Sequence, residues 1–307
     1  MNTRVTAAIA IPQTSLHGPL SITHIRDFLA RAETLGYESA WVVDRVLGAI
    51  YALEAVELLT YAAAVTTRMR LGAAVLLTAL HSPVHMAKRL ATLDALSGGR
   101  LIVGVGLGGD PKAYPAHGLS AERRAARFEE GIEVMKRLWT EPRVTFSGQF
   151  FSLSQAAMEP KPVQKPHPPL WFGAHHPNAL RRAVALGSGF IGAGSSPTRQ
   201  FVDEVRLVTQ TLDDAKRDPA AFPIGKRVYL AIDRDRARAG KRLAEWFTAF
   251  YGRAEMASLV SVFGGPQEVV DGLAEVVRGG AQYLLLNPVF DEREHLEQLA
   301  SEIMPAL

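Results

Sequence analysis

Eight short apolar runs, each leading into a stretch with helical spacing, constrain this chain more than any single motif. The runs fall at residues 5–11, 39–43, 70–77, 101–105, 170–173, 189–193, 227–232 and 282–286. Apolar residues recur at helical spacing over 22–35, 53–67, 83–96, 121–139, 177–186, 198–214, 242–258 and 266–277. Strands that alternate with helices pair in parallel through right-handed crossovers, and eight such units close a barrel more naturally than an open sheet. The expected fold is therefore α/β, a (β/α)8 TIM barrel, with a last helix over 292–303 as its cap. A length of 307 residues with 48% hydrophobic content supplies core enough for one such barrel, so one domain over 1–307 is expected.

The stretch RLGAAVLLTALHSPVHMAKRLATLDALSGGRLIVGVGLGG, residues 70–109, displays one full unit. Its first run shows no alternation, as suits a strand buried on both faces. Ser82 and Pro83 supply a cap and a first-turn proline, Ala87, Leu90 and Ala91 line one face, and Gly98 and Gly99 end the helix. In the fourth helix Ser120 is expected to cap and Glu122 to sit in the first turn, while Phe128, Ile132, Met135 and Trp139 form a core stripe. Two insertions exceed a minimal barrel. One, 142–169, follows the fourth helix and joins a hairpin around Ser147 and Gly148 to the proline-rich EPKPVQKPHPP. The other, 233–265, follows the seventh strand and has the length of a lid or binding wall.

Composition removes several kinds of function. With no cysteine there is no disulfide, thiolate nucleophile, iron–sulfur cluster or cysteine zinc site. The balance of 34 basic and 31 acidic residues leaves a net charge of only +3, which implies no polyanionic partner. The basic cluster of Arg234, Arg236, Arg238, Lys241 and Arg242 is interleaved with Asp233 and Asp235 and reads as a solvated face, not a nucleic-acid platform. No run approaches a membrane span, and the run 5–11, closed by Pro12, is short for a signal segment. A cytoplasmic protein without nucleic-acid or membrane partners is expected.

Chemistry is expected at the carboxyl ends of the strands, where barrels of this class bind ligands. Gly104, Gly106, Gly108 and Gly109 follow the fourth strand, but no helix is expected over 110–119, so the turn is not a dinucleotide fingerprint. It reads either as a place where backbone approaches a flat ligand or as a bulge tightening the rim. Gly173, Ala174, His175 and His176 precede Pro177 at a helix start, where free N–H groups favour an anion; alternatively His176 caps the helix and His175 is exposed. Adjacent histidines point apart, and His81 lies outside the helix that carries His85, so no metal site is expected. Asp44 and Arg45 end the second strand, either to meet a ligand's polar edge or as an ion pair on the rim.

Taken together, WVVDR, RLGAAVLL, ATLDALSGGRLIVGVGLGG, RFEEGIEVMKRLW, PPLWFGAHHPNALRRAVALGSGF and GGAQYLLLNP resemble the bacterial luciferase-like superfamily of flavin and deazaflavin oxidoreductases. The resemblance spans nearly the whole chain and lies in the order and spacing of these segments. It implies a reduced flavin or coenzyme F420 held without a covalent bond across the carboxyl face. Ala74 and Val75 match the third-strand bulge that, in deazaflavin members, contains a non-proline cis peptide backing the ring. Gly106, Leu107 and Gly108 match the turn beside the ring, and Gly173, Ala174 and His175 match the segment that receives the cofactor phosphate. Asp44 falls on the family's Asp before a usual His, whose place Arg45 takes. A permanently charged guanidinium cannot serve as a base near neutral pH. Gly109 lacks the acidic group of the sugar-phosphate dehydrogenases in this superfamily, which disfavours that substrate. His81, His17, Asp110 and Tyr114 remain as acid or base groups, and the catalytic set expected is Asp44, Arg45 and His81.

The implied function is hydride transfer between F420 and a small organic substrate. The alternatives are an FMN-dependent monooxygenase using reduced flavin and oxygen, a barrel that binds flavin without turnover, and a cofactor-free isomerase or aldolase. The last is disfavoured because no lysine is expected at a strand end for Schiff-base chemistry. Family resemblance suggests a homodimer.

Overall fold

The computed structural model describes residues 5–108 and 110–307. Eight parallel strands form a closed ring: β1 (Thr6–Ala10), β2 (Ser39–Val42), β3 (Arg70–Ala73), β4 (Leu101–Val105), β5 (Leu170–Phe172), β6 (Gly189–Gly192), β7 (Ile224–Ile232) and β8 (Tyr283–Pro288). Closure comes from β7, which pairs with β6 at Phe190 and Ile224 and with β8 from Gly225 and Tyr283 onward. Between and after the strands run α1 (Ile22–Leu35), α2 (Ala55–Val65), α3 (Pro83–Leu96), α4 (Arg124–Thr140), α5 (Pro177–Leu186), α6 (Thr198–Asp214), α7 (Arg236–Tyr251), α8 (Pro266–Arg278) and α9 (Glu292–Gln298). This is the (β/α)8 barrel that the strand and helix alternation predicts.

Large side chains fill the inside of the ring. Trp41, Trp171 and Tyr283 meet there with Ala8, Ile102, Ile191 and Leu285. Room for them comes from glycine on facing strands: a Cβ on Gly72 would lie 2.5 Å from the Trp41 ring, and one on Gly189 would lie 2.7 Å from Trp171. A second, larger core lies between strands and helices and includes Phe28, Leu90, Phe128, Phe172 and Phe190. Burial of apolar area on both faces of the strands explains why their sequences run apolar without alternation.

Several boundaries differ from the sequence reading, each for a local reason. β3 stops at Ala73 rather than at residue 77, because the chain turns through a cis Ala74–Val75 peptide into a 3-10 turn at Thr78–Leu80. α4 begins at Arg124, not 121; Ser120 instead accepts the Glu122 N–H in a tight turn, and Arg123 is left-handed with φ 53°. A 3-10 helix, Pro111–His117, occupies a stretch expected to be without helix. β7 starts at Ile224, three residues earlier than expected, which brings Lys226 into the strand. The segment after β7 holds α7, capped by Asp235 on the Arg238 N–H, a short helix Met256–Val260 and an unexpected parallel strand, Ser261–Gly264, on the upper half of β7. The basic cluster lies on the first turns of α7 and meets Asp233, Glu268 and Asp291 in exposed ion pairs. The chain between α4 and β5 forms a hairpin, Val144–Ser147 with Ser152–Ala156. No described helix is long and apolar enough to cross a membrane.

Glu33 in the last turn of α1 ties that helix to the start of β3. Its carboxylate accepts the N–H groups of Thr67, Arg68 and Met69 at 2.6–3.2 Å and the Thr67 hydroxyl at 3.1 Å. Desolvation alone would raise its pKa, but the hydrogen bonds from Met69, Arg68 and Thr67 outweigh it and bring it to about 2. The folded chain thus binds this proton less readily than the unfolded chain does, so the stabilisation is complete above the ordinary carboxyl value and fades as pH falls towards 2. Paired thermal melts of the wild type and Glu33→Gln are expected to differ by about 2–4 °C at neutral pH. That gap should close between pH 4.5 and pH 2.

Candidate functional site

Three strand ends converge on the side chain of Val75. The Ala74–Val75 peptide is cis, as the family resemblance implies for this position. The chain on either side of it is held by Ala74 N–H to Val42 O at 2.8 Å and Leu76 N–H to Gly104 O at 2.8 Å. Gly106 N–H returns to Leu76 O at 2.8 Å, and Gly173 N–H reaches Val105 O at 3.0 Å. A Cβ on Gly106 would lie 2.5 Å from one Val75 methyl, and a Cβ on Gly173 would lie 3.0 Å from the other. The ends of β3, β4 and β5 therefore share a glycine surface at the barrel mouth. Ala74, Val75, Leu107 and Gly108 are partly exposed there, while Gly106 and Ala174 are buried. Gly109 lies outside the described residues. Tyr114, fully buried, donates its hydroxyl to Leu107 O at 2.8 Å and so braces this turn instead of facing a ligand. His17 and Asp110 are exposed, with Asp110 accepting the Lys112 N–H.

Asp44 does not pair with Arg45, which removes the rim ion pair as a reading. Its side chain is 2% exposed; Oδ2 accepts the Leu77 N–H at 2.9 Å and lies 3.1 Å from His81 Nε2. Oδ1 is buried with no partner among the described residues. That geometry makes Nε2 the protonated nitrogen of His81 and leaves Nδ1 free. Arg45 turns away and lies 4.2 Å over the Phe250 ring of α7, its Nε also buried without a partner. Thus a histidine does stand beside this Asp, but it comes from the loop after β3.

At the end of β5 the histidines follow the second of their two readings, a capping His176 and an exposed His175. His176 caps α5, its Nδ1 accepting the Asn178 N–H at 3.2 Å. His175 is exposed, and its Nδ1 lies 2.7 Å from Glu204 Oε1 on α6, with Gln200 donating to the same oxygen at 2.9 Å. Glu204 is 3% exposed and its other oxygen has no partner. Lys226, which sequence reasoning placed outside any strand, points outward from β7 and donates to the carbonyls of Ala193 and Ser196, binding the loop after β6. Burial brings its pKa down to about 7, against the opposing charge of Glu204. Sequence reasoning also missed Arg227 and Asn287, whose signal was a polar residue interrupting each of two apolar runs, KRVYLAI and YLLLNP. Among the described residues no three His, Cys, Asp or Glu side chains form a metal-ligating group.

The fold is a parallel (β/α)8 barrel whose mouth, at the ends of β3 to β5, is walled by backbone and glycine. The chain belongs to the luciferase-like monooxygenase family, whose sequence profile matches residues 1–283. An F420-dependent glucose-6-phosphate dehydrogenase of Beutenbergia cavernae is 31% identical over 318 residues, covering 92% of this chain and 93% of that one. Among solved structures, an F420-dependent secondary alcohol dehydrogenase in complex with an F420–acetone adduct superposes with a TM-score of 0.86 at 18% identity over 99% of both chains. The oxygenating constituent of 3,6-diketocamphane monooxygenase of Pseudomonas putida, in complex with FMN, gives a TM-score of 0.78 at 14% identity over 99% of this chain and 98% of that one. Both likenesses show the fold.

Two glycine substitutions separate the fold from the ligand surface. A Cβ on Gly104 would stand 1.7 Å from Ala73 O, a backbone atom that cannot move without breaking the sheet, so Gly104→Ala is expected to prevent folding. Gly106→Ala crowds the Val75 side chain and stays 3.9 Å from the nearest backbone atom, Gly173 O; it is expected to yield folded protein by circular dichroism but to weaken flavin or deazaflavin binding about tenfold or more.

Proposed function

We propose that this chain is an oxidoreductase that transfers a hydride between F420 and a small organic substrate, acting as one domain over 1–307, in the cytoplasm and as a homodimer. The observation that carries the reading is the glycine-walled surface around Val75 beside a buried Asp44 with an unused oxygen. The residues present fit a flat, hydrogen-bonding ring: the Val75 methyls, packed closely against Gly106 and Gly173, form a low wall with no larger side chain, and Asp44 Oδ1 offers an acceptor that no described residue uses. Ala74, Val75, Gly106, Leu107 and Gly108 would back such a ring, and Gly173, Ala174 and His175 would receive its phosphate. Bound F420 supplies a two-electron carrier that gives or takes a hydride. The chain supplies orientation, a water-poor mouth and a proton relay.

That relay is Asp44 and His81. Asp44 Oδ2 fixes the imidazole through Nε2–H, and the free Nδ1 can take a proton from a substrate hydroxyl or return one to a carbonyl. Arg45 in the family's usual histidine position cannot do this, and it packs over Phe250 instead. Arg45 and Gly109 both differ from the sugar-phosphate dehydrogenases, so the substrate is read as something other than glucose 6-phosphate.

An FMN-dependent monooxygenase is the second reading, favoured by the FMN-bound structure that shares the fold. A barrel that binds flavin without turnover is the third, and the Asp44–His81 pair counts against it. Side-by-side quenching of F420 and FMN fluorescence by the purified protein decides between them. Tight binding of F420 is expected; binding of FMN alone would overturn the first reading, and binding of neither would overturn both. With small secondary alcohols and ketones as probes, His81→Ala is expected to slow F420 reduction or reoxidation by about 10²–10⁴-fold while leaving F420 quenching intact.

A further inference from the structure

Arg227 sits inside the barrel mouth with no acid to answer its charge. Residues 225, 227 and 229 share the inner face of β7: a Cβ on Gly225 would touch the Trp171 and Tyr283 rings within the barrel, and Arg227 lies one layer above them. The residue is only 9% exposed. Its Nε donates to Asn287 Oδ1 on β8 at 2.7 Å, its guanidinium lies 4.6 Å over the Tyr229 ring, and its stem packs under Gly194. Among the described residues its two Nη groups meet no carboxylate and no carbonyl. A buried cation normally has an anionic partner, because desolvating it alone is costly.

The walls around it indicate what that partner looks like. Arg227 lines a cleft with Trp41, Trp246, Phe250, Gln13 and Asn287, and it is the one charged side chain of that lining. Gln13 has no donor left for an anion, since both N–H groups of its amide already serve Val43 O and Leu53 O. Trp246 and Phe250 of α7 stack with ring centroids 4.6 Å apart, and the Trp246 indole N–H is buried without a partner. With Nε committed to Asn287, the free fork of Arg227 presents two donors in one plane. That geometry suits a planar monoanion held by two parallel hydrogen bonds, and a phosphate dianion would be left short of donors.

We propose that Arg227 is the specificity residue of this mouth and that the substrate carries a carboxylate received by its free fork. The placement rests on the reading of Val75 as the backing of the redox ring, which leaves the β7 and β8 side of the mouth to substrate. Asn287 positions the fork, and Arg45 over Phe250 adds a second cation at the edge of the same aromatic wall.

Benzoate, benzyl alcohol and phenyl phosphate are the probes, titrated calorimetrically into the wild-type chain with and without F420. Benzoate is expected to bind about tenfold or more tightly than benzyl alcohol and more tightly than phenyl phosphate. Arg227→Gln is expected to abolish the preference for benzoate while leaving F420 quenching unchanged. Equal binding of benzoate and benzyl alcohol, a preference for phenyl phosphate, survival of the benzoate preference in Arg227→Gln, or loss of F420 quenching in that variant would each overturn the assignment. If the variant does not fold, the three-probe comparison on the wild type decides alone. If the wild type quenches no F420, the cofactor reading fails, and the titration without F420 still reports on Arg227.

Discussion

Inside the ring of strands the side chains of Trp41, Trp171 and Tyr283 meet with centroids 5.2 to 6.1 Å apart. Tyr283 and Trp41 are further tied through the Ser39 hydroxyl, to which the Trp41 indole donates at 2.7 Å. These three rings fill the inside of the ring, and the mouth lies above them, among the loops at the strand ends. They also set the spacing of the glycines opposite, because Gly72, Gly189 and Gly225 are where the rings press against backbone or the neighbouring strand. Everything in the mouth stands on that floor: Val75 with its glycine neighbours on one side, Arg227 and Asn287 on the other.

The mouth holds polar atoms that no described residue satisfies. Asp44 Oδ1, Arg45 Nε, Glu204 Oε2 and Trp246 Nε1 are all buried without partners. Each such atom costs about 1–3 kcal/mol in a folded protein that leaves it unpaired. Their grouping around the carboxyl ends of the strands is what a binding surface requires, since groups already desolvated lose little more when a ligand takes them up. The rest of the fold offsets that cost with large apolar cores and with local ties such as Glu33 on the Thr67 to Met69 amides.

The ring of strands was legible because a strand buried on both faces must be apolar throughout, and runs such as LIVGV and YLLL carry that signature without knowledge of their neighbours. The strand ends were less legible. β3 gives way to the bulge at Ala74 although apolar residues continue to Leu77, and hydropathy does not register where a backbone turns. The helix start at Arg124 was misjudged because the cap signal at Ser120 serves a separate tight turn, and β7 starts at Ile224, three residues before the run expected for it. The added strand Ser261–Gly264 gave no separate signal, since its pairing depends on β7 extending past the ring.

Residue types and their order were enough to determine a parallel barrel, the approximate places of its strands and the absence of any cysteine chemistry, because periodicity and composition act locally along the chain. Tertiary structure alone decided which side chains share the mouth. Asp44 found His81 from the loop after β3 and left its neighbour Arg45 to Phe250. Arg227 and Asn287, sixty residues apart, became one unit through the register of β7 with β8. Such contacts join residues distant in sequence, and their geometry is set by barrel closure, a property no segment has by itself.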